Sequence, residues 1–265
     1  MSTFWGYMFE GSVFLIIWLW WLLNTYTTSM KCESSGKQFV PRLSYPWPGS
    51  KIPSETLFKL AASGTGFLAT LFYDGVSLVD DHGNYRKMAT VISMSIYGIF
   101  LLHSIAELLL WFGVPLIQNT DYVTAALGFF WYSLITYFRA QDFIHTSHVA
   151  LMVTTLPTYP LLGIGVSLVL EMINPCSYWT QVMRVFCLGV VATWDMNAAF
   201  ILHSAKPFPG ADSSDWEMNS HSNTGFIGAA FGGHICLHLI FIILLYVVTS
   251  VHMRYRHGVR VQYKD

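Results

Sequence analysis

Long apolar stretches alternate with short polar connections along the chain, and seven of the stretches are long enough to cross a bilayer. A spanning helix needs about 20 mostly apolar residues, because each residue advances it by about 1.5 Å. Since most connections are short, the pattern predicts an all-α polytopic membrane protein, a single seven-helix bundle with antiparallel sequential helices. The stretches lie at about 5–26, 57–76, 88–112, 122–138, 147–170, 181–203 and 224–250.

Basic residues are distributed unevenly between the two sides that this pattern defines. With the N-terminus outside or in a lumen, ten of the 14 Lys and Arg residues fall on the inner side. Positive charge favours the cytoplasmic side, so the N-terminus is predicted outside or lumenal and the C-terminus cytoplasmic. The inner side then holds a loop at 27–56 and a tail at 251–265. The ten residues are Lys31, Lys37, Arg42, Lys51, Lys59, Arg184, Arg254, Arg256, Arg260 and Lys264.

Composition agrees with a membrane protein. Charged residues make up 11% of the chain, whereas soluble domains carry about a quarter. The expected partners are therefore membrane lipids, and the absence of a basic face argues against nucleic acid. The first stretch has no basic residue before it and no small-residue cleavage site after it, so we expect it to be retained as a helix. The four cysteines have no spacing typical of a disulfide framework or a zinc ribbon.

Ionisable residues occur at membrane depth, where they are costly and usually functional. Helices three, five, six and seven of the predicted bundle each contribute such residues, with His103 near the midplane of helix three. On the predicted topology these groups form a polar column open toward the outside. The resulting pocket is predicted to be lined by His148, Asp195, Asn197, His221 and His234.

Imidazole nitrogen is the commonest ligand of transition metals in proteins. We therefore expect His148, His221 and His234 as ligands of zinc or another transition metal, with Asp195, Asn197 and His103 as further cofactor-binding residues. Zinc with an open coordination position would activate water against a lipid amide or ester. Without catalysis, the same pocket would bind a lipid head group or a small polar ligand.

Two other interpretations use the same histidines. Each ring could simply hydrogen-bond a backbone carbonyl or a Ser or Thr hydroxyl on a neighbouring helix, as in a structural or partner-binding membrane protein. Alternatively, facing pairs, His148 with His221 or His103 with His234, could ligate haem for electron transfer. Serines near histidines, namely Ser95, Ser104 and Ser147, would suggest a hydrolase, but serine in membrane helices is more often packing.

Prolines predict irregularities in helix five. Pro157 and Pro160 lie inside this stretch and lack the backbone N–H that a helix needs, so a kink is expected. Such a kink would open space below His148. Pro115 and Pro175 are expected to terminate helices three and five.

Four patterns are shared with one known family. They are Gly11-x-x-Phe14 with Trp20-Trp21, His148 after the Arg139 to Asp142 turn, Trp194-x-x-Asn197, and Trp216-x4-His221-x12-His234. Together they resemble the transmembrane protein 45 family, also called domain of unknown function 716. The resemblance implies a seven-helix protein of the secretory pathway (Golgi or endosomes) or the plasma membrane, with no established reaction. His238 departs from the family pattern, which implies that His148, His221 and His234 are the shared site.

Overall fold

The computed structural model of the protein describes residues 3–47, 49, 52–74, 88–203 and 221–257. Over these ranges it is helical with extended or turn connections and no strand, which confirms the predicted all-α class. The helices are α1 (Phe4–Ser34), α2 (Ser54–Asp74), α3 (Met88–Trp111), α4 (Thr120–Gln141), α5 (His148–Thr155), α6 (Thr158–Ile173), α7 (Tyr178–His203) and α8 (His221–His257).

Five helical segments are long and apolar enough to cross a membrane. They are Phe4–Ser34, Val91–Trp111, His148–Ile173, Tyr178–His203 and Ser222–Met253, where the third combines α5 and α6. The other two long helices of the described chain, α2 and α4, do not meet the same hydropathy criterion. The architecture is therefore that of a multi-pass helical membrane protein.

α1 begins and ends with clear capping signals. The Thr3 hydroxyl accepts a hydrogen bond from the Gly6 backbone N–H and caps the first turn. At the other end, Gly36 adopts a left-handed φ of 66°, and the Lys37 N–H returns to the Cys32 carbonyl oxygen. α1 therefore runs on to Ser34, so residues 27–34 of the predicted loop are helical.

α1 packs most extensively on α7, and glycine permits their close approach. A Cβ added at Gly11 would lie 2.8 Å from the carbonyl oxygen of Ala192. α8 lies against α1, α5 and α7, whereas α2, α3, α4 and α6 form the other side of the bundle. The two sides are joined mainly where α6 packs on α7 and α4 on α5.

α1 and α3 run in the same direction. Glu10, early in α1, accepts a hydrogen bond from Tyr97, in the first half of α3. Further along both helices, Lys59 of α2 lies 5.2 Å from the centre of the Trp21 ring and pairs with Glu107 at 2.9 Å. α2 runs antiparallel to both, because Lys59 near its start meets Glu107 late in α3, whereas Gly66 further along meets Tyr97 early in α3.

The connection after α1 is built into the bundle. Its side chains Phe39, Leu43 and Tyr45 are buried, and Trp47 stacks on Trp20 with ring centres 4.9 Å apart. Burial raises the pKa of the Tyr45 hydroxyl, so it stays neutral and accepts a hydrogen bond from Gln181. This segment closes the end of the bundle at which α1 finishes.

The predicted proline kink is present as a break between α5 and α6. Pro157 has no N–H to donate to the Val153 carbonyl, which would normally accept a bond from the residue four positions later. The Trp194 indole of α7 donates to that oxygen instead, at 2.9 Å. The kink is thereby held against α7 by a fully buried tryptophan.

Candidate functional site

His234 lies half-buried between α8 and α7, with both ring nitrogens bonded. Its Nδ1 is 3.1 Å from the Thr193 hydroxyl oxygen, and its Nε2 is 3.2 Å from the Asn197 amide nitrogen. The same Thr193 oxygen lies 2.8 Å from Nε2 of His238. These bonds favour the interpretation in which α8 histidines hold the helix to its neighbour.

Asp195 faces away from His234, although the sequence placed both in one pocket. It is two residues from Asn197, and two helical residues lie about 200° apart around the axis. Its carboxylate instead lines a small cavity of about 20 Å³ with Tyr7, Arg139 and Thr154. One carboxylate oxygen, Oδ2, has no hydrogen-bond partner among the described residues. This cavity is large enough for about one water molecule.

His103 belongs to another cluster. Its Nδ1 is 3.0 Å from the Thr124 hydroxyl, and its Nε2 is 3.3 Å from Glu107. The helix that carries it, α3, packs on α2 and α4, while α8 packs on α1, α5 and α7. The structure therefore does not bring His103 together with His234.

The two remaining predicted ligands lie at helix starts. His148 is the exposed first residue of α5, next to the buried Ser147 cap. His221 is the first residue of α8, and its side chain lies outside the described part of the protein. Within that part no three His, Cys, Asp or Glu residues are close enough to hold a metal ion. The zinc assignment and the haem pair His148 with His221 both involve His221 and stay predictions. The other haem pair, His103 with His234, is wrong, because the two rings belong to separate clusters.

One cavity of the described bundle lies between α1 and helices α2, α3 and α4. The volume of the cavity is about 90 Å³, several times the volume that one water molecule needs. α1 lines it from Phe9 to Trp21, thirteen residues or about 18 Å of helix, a little over half of a bilayer's hydrocarbon thickness. Its wall is mostly aliphatic and aromatic, including Phe9, Val13, Phe14, Ile17, Ile96, Phe100, Phe129, Leu168 and Leu188.

Polar groups mark both ends of this cavity. Toward the start of α1, the Glu10 carboxylate accepts hydrogen bonds from the Tyr97 hydroxyl at 2.7 Å and the Tyr132 hydroxyl at 3.1 Å. The Tyr97 ring lies directly against Gly66, where a side chain would occupy the same space. Gly66 therefore helps to place the Tyr97 hydroxyl at Glu10.

The opposite end is closed by a buried ionic cluster. The Lys59 ammonium bonds Glu55 at 2.8 Å, Glu107 at 2.9 Å and the Leu43 carbonyl oxygen at 3.1 Å. Glu55 also accepts from the Trp21 indole at 2.7 Å. Three acceptors match the three ammonium hydrogens, so each hydrogen of the Lys59 ammonium has a partner within the protein.

Glu10 is the functional candidate that the sequence interpretation missed. It is the one charged residue between 5 and 26, so an intramembrane carboxylate was visible in the sequence. Its tyrosine partners lie on α3 and α4, and the pattern of a single chain does not say which helix faces meet. The histidine pattern alone therefore predicts no function at this end of the bundle.

No protein-family model matches the chain. The likeness to the transmembrane protein 45 family consequently stays a prediction based on the four residue patterns.

Proposed function

We propose that the protein spans the membrane seven times and binds a lipid-like amphiphile in the cavity between α1 and α2–α4. One observation supports a bound ligand: the cavity between these helices is elongated, with apolar walls and polar ends. Protein interiors are close-packed, and unfilled space of about 90 Å³ leaves its apolar walls without van der Waals partners. An apolar chain in the cavity would recover those contacts.

The direction of the helices supports seven crossings. α1 and α3 are both apolar enough to span and run in the same direction. After α1 leaves one side, the chain must return before α3 can start there, and α2 is the helix that connects them. The same argument applies to α4, because Thr124 meets His103 while Tyr132 meets Glu10, so α4 runs opposite to α3.

The orientation proposed is N-terminus outside or lumenal. Two residues counted toward the inner side, Lys59 and Arg184, are buried in ion pairs with Glu107 and Glu171. Excluding these two, eight basic residues remain on the inner side against four on the outer side, so the bias still favours this orientation. The compartment, secretory pathway or plasma membrane, is proposed from the family resemblance alone.

Filling the cavity tests the ligand proposal. Ala62 of α2 lines the cavity, whereas its neighbour Ala61 is exposed on the outside of the helix. We expect Ala62→Phe to exclude the ligand because the ring occupies its space. Wild-type and variant proteins in lipid nanodiscs are irradiated with a long-chain alcohol carrying a diazirine, and crosslinked residues are mapped by mass spectrometry.

The expected result is crosslinking to α1 between Val13 and Ile17 in the wild type and its loss in Ala62→Phe. Ala61→Phe adds the same side chain to the lipid-facing surface and should keep these crosslinks. Crosslinks to the exposed face of α8, at Leu237 for example, should persist in all three proteins. Equal cavity crosslinking in both variants contradicts the proposal.

A further inference from the structure

We propose that the cavity selects amphiphiles whose head group donates a hydrogen bond, the simplest being a hydroxyl, and that Glu10 is the residue that recognises it. This inference rests on the proposed function, because it assigns the head group of the same ligand. The cavity's polar side chains determine which chemistry fits, since a buried donor or acceptor without a partner is costly.

The donor groups that line the cavity are already used. The Trp21 indole donates to Glu55, and the Lys59 ammonium has three acceptors. The Ser63 and Ser104 hydroxyls donate to carbonyl oxygens of their own helices, at 2.7 and 2.9 Å. Both ring nitrogens of His103 are also bonded.

The two tyrosines at the other end are occupied as well. Tyr97 and Tyr132 each give their hydroxyl hydrogen to Glu10. The described lining therefore has no polar hydrogen left over for a ligand, whereas it retains acceptors. A head group that only accepts hydrogen bonds, such as an ether or an ester, would find no donor there.

Glu10 has acceptor capacity to spare. A carboxylate has about four lone-pair sites, and the two tyrosines use one on each oxygen. The residue is half-buried and lines the cavity at one end. A hydroxyl can therefore bond Glu10 while the alkyl chain that carries it fills the apolar length of the cavity. A hydrogen bond to a carboxylate is about twice as strong as one between neutral groups.

The charge of Glu10 excludes anionic head groups. A fatty carboxylate at this end would face the Glu10 carboxylate in an apolar surrounding, and like charges repel strongly where the dielectric is low. Lys59 cannot offset that repulsion, because it lies at the far end, paired with Glu55 and Glu107. The geometry therefore favours a long-chain alcohol over a fatty acid of equal length.

The test compares three competitors that share one alkyl chain: the alcohol, its methyl ether and the corresponding carboxylate. Each competes with the diazirine probe for the α1 crosslinks in wild-type protein and in Glu10→Gln. In wild type the alcohol should compete best, about tenfold better than the ether, because only the alcohol donates to the carboxylate. Glu10→Gln should weaken the alcohol about fivefold and strengthen the carboxylate, since the like charge is removed.

In Glu10→Gln the alcohol should compete less well and the carboxylate better, and these opposite changes distinguish lost recognition by Glu10 from general damage to the cavity. A variant with a collapsed cavity would lose all three competitors together, and that result overturns the assignment. Glu33→Gln makes the same change at an exposed position of α1 and should alter none of them. If Ala62→Phe abolishes cavity crosslinking while Glu10→Gln leaves the alcohol-to-carboxylate ratio unchanged, the head-group inference fails and the cavity proposal stands. If Ala62→Phe has no effect, the cavity proposal itself fails.

Discussion

At the scale of single residues, the Thr193 hydroxyl is the shared partner of two histidines on α8. His234 and His238 both bond this oxygen, and the hydroxyl also lies 3.2 Å from the Gly189 carbonyl oxygen. Thr193→Val keeps the shape but removes the oxygen, leaving two ring nitrogens without that partner. We expect a loss of about 1–3 kcal/mol in unfolding free energy, measured by thermal unfolding of purified protein.

Thr27→Val provides the matched control. The Thr27 hydroxyl bonds only carbonyl oxygens of its own helix, those of Leu23 and Asn24, among the described residues. Removing it leaves no group on another helix without a hydrogen bond, so the melting temperature should change little. Equal melting temperatures for the two variants would show that the bonds of the two histidines to Thr193 do not hold α8 to α7.

The same residues show how far a sequence reaches at this scale. That His234 needs a polar partner follows from its place in an apolar stretch. That Asp195 points to a different cavity follows from helix geometry, because Asp195 and Asn197 lie on nearly opposite sides of α7. The identity of the partner, Thr193, depends on the rotation of α8 against α7. No periodicity of either helix fixes that rotation, since α8 is apolar almost all round.

At the scale of elements, the break between α5 and α6 depends on Trp194. Its indole N–H replaces the donor that Pro157 lacks, so Trp194→Phe leaves the Val153 carbonyl unpaired in the core. We expect a destabilisation of about 1–3 kcal/mol from the lost partner, in addition to a smaller packing loss. Pro157→Ala restores a backbone N–H four residues after Val153. The double variant should therefore lose less than the sum of the two single variants.

A double-mutant cycle of denaturation free energies measures this coupling. Trp5→Phe is the control for the substitution itself, because Trp5 is 76% exposed near the start of α1. Strict additivity of Trp194→Phe and Pro157→Ala would contradict the proposed replacement of the donor. The kink was predictable from Pro157 in the sequence, whereas its tryptophan partner was not, because the two residues are 37 positions apart.

At the scale of the whole molecule, an all-helical protein with several membrane-spanning helices was predictable from the sequence, whereas the pairing of several charges was not. Hydropathy alone identifies five segments, and the remaining two, α2 and α4, carry polar side chains that pair within the bundle. Lys59 and Arg184 looked like positive charges at the inner surface, yet both are buried beside Trp21 and paired with glutamates. Sequence patterns count charges without showing which ones have partners inside.

Glycosylation mapping tests the proposed topology directly. The chain contains no Asn-x-Ser/Thr sequon, so any sequon introduced is the only acceptor. With seven crossings and an outside or lumenal N-terminus, residues 204–220 lie on the lumenal side and residues 258–265 on the cytoplasmic side. A sequon placed in the first segment should add a glycan, seen as a gel shift removed by endoglycosidase. A sequon in the second segment should not add a glycan. A glycan there would show that α8 has the opposite orientation. The Glu10 end of the cavity would then face the other side of the membrane.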